Sequence, residues 1–135
     1  MITSSNDLTN IDRGDTRNRQ ELTKIAEEYL STLVNADTQA MLNLLGTDSI
    51  IEDPRFPGNA GQEQISEFVT SFQNWVADMS PKTEHLRTTA TEQRVLSEDN
   101  LRIQFSGEVW ELPVATTVCK DVDSGANRVH VYYTN

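Results

Sequence analysis

Cysteine occurs once, at Cys119, so no disulfide can close within the chain, as suits a reducing cytoplasm. Histidine occurs twice, at His85 and His130, and neither has a cysteine or second histidine at ligand spacing. That excludes the usual tetrahedral zinc sites, and no metal or cofactor is expected. Basic residues are in deficit: 11 Lys and Arg stand against 21 Asp and Glu, a net charge of −10. Phosphate backbones and anionic membrane surfaces attract the opposite balance, so neither nucleic acid nor membrane is an expected partner. No run approaches the roughly 20 apolar residues of a bilayer span. The N-terminal stretch lacks the basic segment and apolar run of a secretory signal, and a cytoplasmic location is expected. A phosphate-cradling glycine loop and a GxSxG nucleophile turn are also missing from the sequence.

What is present is the composition of a globular domain, 36% hydrophobic and 24% charged, with 135 residues to build one core. Residues 1–19 are polar and without periodicity, which predicts a flexible tail ahead of a single domain over 20–135. Leu22, Ile25, Ala26, Tyr29 and Leu33 recur at three- and four-residue intervals and predict an amphipathic helix. A short second helix follows, with Asp37 as N-cap and Gly46 as its stop. "DSIIED" (48–53) predicts a strand ended by Pro54. Over 62–79, Ile65, Phe68, Val69, Phe72, Trp75, Val76 and Met79 form one stripe of a long helix closed by Pro81. The period then becomes two, predicting strands over 84–97, 100–111, 112–122 and 127–134. "SEDN" and "VDSGAN" read as hairpin turns and "ELP" as a bend between the middle strands. Helices before a strand-rich half argue an α+β fold, a curved antiparallel sheet wrapped over the long helix.

Alternation along a strand sends Ile51 and Asp53 to one face and Ile50 and Glu52 to the other. If Ile51 faces the interior, Asp53 does too, and Pro54 holds it extended. An acid at the mouth of an apolar cavity loses solvation and becomes a better proton acceptor. The competing reading is a turn former before proline. Tyr29, on the apolar face of the first helix, is either a core aromatic bonded to a carbonyl or a phenol that donates to a developing oxyanion.

Tyr29, the "NAD" segment at 35–37, "IIEDP" at 50–54, the helix carrying Ile65 and Phe68, "ELPVA" at 111–115 and the terminal "RVHVYY" together resemble the SnoaL-like and ketosteroid-isomerase-like proteins of the NTF2-like superfamily. The likeness spans roughly residues 20–134. It implies a cone of curved sheet and three helices around an apolar pocket, in a chain that forms homodimers. It further implies Asp53 as the base that moves a proton, Tyr29 as donor to an enolate oxygen, and Phe68 as part of the pocket wall. Two departures stand out. The second acid of the ketosteroid isomerases falls near Thr117 or Cys119, and their supporting tyrosine falls at Val69. The Asp/Arg/Asp set of the epoxide-hydrolase branch falls at Gln104, Ser106 and Tyr132, so that set is absent as well.

The expected activity is therefore a cofactor-independent isomerase or cyclase acting on a polyketide-, terpenoid- or steroid-like molecule in secondary metabolism. A non-catalytic binding module of the same fold, or an epoxide-opening cyclase or hydrolase, are the alternatives. The expected wall of the substrate site is Phe56, Phe68, Phe72, Trp75, Trp110 and Tyr132, although Trp110 also suits a half-buried strand or a dimer contact. His130 shares a face with Tyr132, opposite Val129, Val131 and Tyr133. On the concave face, where we expect it, His130 becomes a second proton-transfer group; on the convex face it is surface. His85 is expected in solvent and Cys119 as a small buried hydrophobe.

Overall fold

The structure is a computed structural model that describes residues 2–46, 49–54 and 62–133. Helix α1 spans Ile2–Val34, α2 Thr38–Leu45 and α3 Gln62–Met79. The strands are β1 Ser49–Glu52, β2 Lys82–Ala90, β3 Arg94–Phe105, β4 Glu108–Lys120 and β5 Asn127–Tyr133. They form one curved sheet in the order β1-β5-β4-β3-β2, antiparallel except where β1 runs parallel to β5. This is the α+β architecture expected from the sequence. The helix α1 extends back through the segment read as a flexible tail, since helix propagation from a packed region costs little even without an apolar stripe.

Helix α1 lies across the inner face of β2, β3 and β4, and α3 packs on α2, α1 and β3. The stripe predicted for α1 is buried: Ile25, Ala26, Tyr29 and Leu33 are at most 1% exposed. From α3, Ile65, Phe68, Val69 and Phe72 enter the same core as Val95, Leu101, Val114, Val118, Val129 and Val131 of the sheet. Asp37 caps α2 by accepting from the amide of Ala40, and Gly46 closes it at φ 76°. The Ser49 hydroxyl donates to the Leu45 carbonyl at 2.6 Å and ties β1 to the end of α2.

Two strand boundaries differ from expectation. "SEDN" is no turn: β3 runs through it, because Val95, Ser97, Asp99 and Leu101 all point inward and the two polar ones find side-chain partners. The β2–β3 turn instead falls at residues 91–93, inside the strand expected over 84–97, where the Thr91 amide donates to the Arg94 carbonyl at 2.8 Å. The β3–β4 turn falls at Ser106 and Gly107, whose φ of 52° and 80° make the two-residue hairpin that matches strand twist. "ELP" lies within β4 rather than at a bend. Pro113 lies opposite Asn100 of β3 in the ladder. The expected "VDSGAN" hairpin does join β4 to β5.

Between His85 and Arg87 the β2–β3 register shifts: His85 faces Asp99, Arg87 faces Glu98, and Leu86 is the extra residue. Such a bulge re-aims side chains, and here it puts His85 and Thr88 within hydrogen-bond reach of each other.

Leu33→Ala should cost about 2–5 kcal/mol in urea denaturation, and Asp37→Ala about 1 kcal/mol, since one opens a cavity and the other removes a cap. Glu21 of α1 accepts from Asn127 and Lys120, each at 3.1 Å. The Asn127 amide, aided by Lys120 against partial burial, holds Glu21 below the ordinary carboxylate range. A depressed folded value means stability that is present above the unfolded value and lost as pH falls through the folded one. Glu21→Gln should therefore flatten the loss of stability below about pH 4.

Candidate active site

Strand β1 is short, and its last residues divide by face. Ile51 pairs with Val129 and both are buried; Glu52 pairs with His130 on the outer side. Asp53 follows as the next inward position and is 3% exposed. Its carboxylate Oδ2 accepts from the Tyr29 hydroxyl at 2.9 Å and from the Tyr133 hydroxyl at 2.9 Å. The three groups come from α1, from the end of β1 and from the end of β5, so the site exists only once helix and sheet have docked. A buried carboxylate without donors would cost several kcal/mol, and hydrogen bonds to a charged group offset about 1.5–3 kcal/mol each. The pair of phenols thus makes an inward acid tolerable.

An aromatic ladder runs along α3. Phe68 meets Phe72 edge-to-face at 5.1 Å, and Phe72 meets Trp75 at 5.3 Å. Phe68 and Phe72 are buried, whereas Trp75 opens into a groove of about 520 Å³ with Met79, Ile103, Phe105, Trp110, Glu111 and Leu112. Trp110 and Phe105 remain 59% and 53% exposed, although their strand positions belong to the inner face. Phe56 lies outside the described residues.

His130 and Tyr132 are not on the concave face. The residues of β5 that point inward are Asn127, Val129, Val131 and Tyr133. His130 stacks on Tyr132 at 4.2 Å on the outer side and its Nδ1 lies 3.0 Å from Glu52. Glu52 also pairs with Arg128, which bonds Asp121 at 3.1 Å. The apolar valines claim the interior, and hydrophobic burial decides which face of the strand turns in. Tyr133, not His130 or Tyr132, is the β5 side chain at Asp53. Counting it with Val129 and Val131, two residues that must be buried, would have found it. Thr117 and Cys119 likewise face outward and are half-buried, with Thr116 and Val118 inside. Gln104 is exposed and Ser106 sits in the hairpin turn.

Across the sheet lies a second polar cluster hidden in the "SEDN" stretch. Asp99, 4% exposed, accepts from Ser97 Oγ at 3.1 Å and lies 3.0 Å from His85 Nδ1. His85 Nε2 is 2.8 Å from the Thr88 hydroxyl, which donates to Glu27 of α1. His85 is thus half-exposed but engaged, rather than simply solvated. The alternation Val95-Ser97-Asp99-Leu101 was the signal for it. Among the described residues no group of three His, Cys, Asp or Glu is placed to hold a metal ion.

Removing one phenol leaves the Asp53 carboxylate with one fewer donor. Tyr133→Phe and Tyr29→Phe should each lower stability by about 1–3 kcal/mol, and the double variant by more than either, in urea denaturation. Unchanged stability in both single variants would mean that the bonds contribute nothing.

No protein-family model and no curated protein matches the sequence. Solved structures do match. A proposed polyketide cyclase from Xanthomonas campestris pv. campestris superposes with a TM-score of 0.65 at 21% identity, over 87% of this chain and 93% of that one. An LEH-like epoxide hydrolase of M. tuberculosis gives 0.61 at 20% identity, over 86% and 84% of the two chains. An epoxide hydrolase/cyclase-like enzyme of pyran ring formation in the polyether salinomycin gives 0.60 at 15% identity, over 89% and 93%. The matches also include proteins described as NTF2-like and ketosteroid isomerase-like, and the fold of this chain is the NTF2-like fold.

Proposed function

We propose that the protein is a cofactor-independent isomerase or cyclase that moves a proton on a hydrophobic small molecule at Asp53. The observation that carries this reading is a carboxylate 3% exposed, held by two phenols, at the inner edge of an apolar core. Structural relatives described as cyclases and epoxide hydrolases support the reaction class, while their low identity leaves the substrate to this chain's own residues. In this reading Asp53 takes a proton from carbon beside a carbonyl, and the electron pair moves onto the carbonyl oxygen. The Tyr29 hydroxyl swings its hydrogen bond from the carboxylate to that oxygen as charge develops. Return of the proton at another carbon completes an isomerisation; attack of the enolate carbon on a second carbonyl completes a ring. Tyr133 keeps Asp53 oriented. The apolar skeleton lies along Phe68 and Phe72 toward the groove of Trp75, Trp110 and Leu112, whose volume falls within the roughly 300–1,000 Å³ of small-molecule sites.

A specific observation favours a second reading. Both phenols donate to the same oxygen of Asp53, and Thr117 and Cys119, where the second acid of the resembled isomerases would fall, face outward. An acid already satisfied by two donors suits a binding module without chemistry. A thermal-shift screen with polycyclic ketones and polyketide-like phenols separates the two. On the compound that stabilises the protein, Asp53→Asn should lower turnover by about 100-fold or more with the fold intact. Undiminished turnover in that variant would overturn the catalytic assignment. Stoichiometric binding of a compound recovered unchanged would establish the binding module. Trp75 and Trp110 are the chain's two tryptophans and both line the groove, so intrinsic fluorescence should change as the ligand binds. The Trp110→Phe variant should lose a large part of that change.

A further inference from the structure

We infer that the groove between the end of α3 and the β3–β4 hairpin holds a cationic ammonium group, so that the substrate is an amine-bearing hydrophobe rather than a neutral one. This deepens the proposed function and rests on its placing the far end of the substrate in that groove. Three of the seven residues lining the groove are aromatic, Trp75, Phe105 and Trp110, and they include both tryptophans of the chain. A neutral skeleton needs only apolar surface, which leucine or valine supplies. The faces of aromatic rings also attract a cation, those of tryptophan most strongly. These rings are open to an incoming molecule, since Trp110 and Phe105 are each more than half exposed. On the inner face of the sheet Trp110 pairs with Ile103 and is the diagonal neighbour of Phe105, within reach of one small ligand. Trp75 lines the same groove from α3, which packs on β3.

The charge around these rings is negative. Helix α3 ends at Met79, itself a lining residue, so the carbonyl end of the helix, the negative pole of its dipole, borders the groove. Such an end is commonly matched by Lys, Arg or His. The last turn of α3 has no basic residue and contains Asp78, three positions after Trp75 and so its neighbour on the helix surface. An acid there adds to the dipole's negative charge instead of offsetting it. From the sheet, the exposed Glu108 stands opposite Phe105 and two positions before Trp110, on the same face as both. Glu111 also lines the groove, and its carboxylate is bound by Arg102 at 2.8 Å. Arg102 is thereby committed, and alternation from Leu101 puts it, with its cross-strand partner Lys82, on the outer face of the sheet. A net charge of −10 further favours the approach of a cation. A tertiary or quaternary ammonium group gains from both the ring faces and this field, whereas a carboxylate or phosphate would meet repulsion.

The test uses the full chain and two probes of the same shape, 3-hydroxyphenyltrimethylammonium and 3-tert-butylphenol, which differ only in a quaternary nitrogen replaced by carbon. Isothermal titration calorimetry should show the ammonium probe bound about fivefold more tightly than the neutral one by the wild-type protein. Trp110→Leu, which keeps an apolar wall but removes the ring, should bring the ratio of the two affinities to about one. Glu108→Lys, a charge reversal at an exposed position, should lower the ratio while leaving the affinity for 3-tert-butylphenol as it was. A wild-type ratio of one or below, a ratio unchanged in either variant, or no binding of either probe would overturn the inference. The ratio is read in binding and the effect of Asp53→Asn in turnover, so failure of the ammonium assignment and failure of the catalytic reading produce different results.

Discussion

Burying a carboxylate requires donors, and the donors of Asp53 come from opposite ends of the chain. Tyr29 lies on α1 and Tyr133 is the last residue of β5, yet both hydroxyls reach one carboxylate oxygen at 2.9 Å. For that to happen β1 must pair parallel with β5, and α1 must lie across the sheet. The β5 valines must also turn inward so that Tyr133 follows them. A one-residue slip of β5 would send Tyr133 to solvent and His130 to the core, losing Val129 and Val131 as core residues. Hydrophobic register and polar satisfaction therefore require the same arrangement.

Helix α1 reads both edges of the sheet's inner face. Tyr29 meets Asp53 on the β1–β5 side, and Glu27 meets Thr88 on the β2 side. Residues two apart on a helix point in divergent directions, which lets one helix hold two polar clusters on either side of an apolar strip. The bulge at Leu86 is the local distortion that makes the β2 cluster possible, bringing His85 and Thr88 together. Thr116 lies on the strip between the clusters. The inner face is thus mostly valine and leucine, with the Asp53 and Asp99 clusters on either side of the apolar strip.

The parts legible in the sequence are those in which one periodicity dominates. The α3 stripe, the Asp37 and Gly46 caps, and the division of Glu52 from Asp53 follow from spacing alone. The strand boundaries of β3 and β4 did not, because "SEDN" carries turn formers that the fold uses as inward polar residues. Their partners, His85 and Glu27, lie on other elements and cannot be seen from local composition. The segments that do turn the chain, "TEQ" at 91–93 and "SG" at 106–107, are short and inconspicuous. His130 and Tyr132 lie on the outer face, although their chemistry suits a site, because burial of the alternate residues decides the face of the strand. Val129 and Val131 had already decided the matter, and with it the choice of Tyr133.

The central claim is that Asp53 moves a proton to and from carbon. Solvent exchange at the α-carbons of 2-tetralone, followed by proton NMR in deuterium oxide, reads that step without requiring the natural substrate. The wild-type protein should accelerate deuterium incorporation well above the buffer rate, and Asp53→Asn should return it to that rate. Equal exchange with the two proteins would contradict the account.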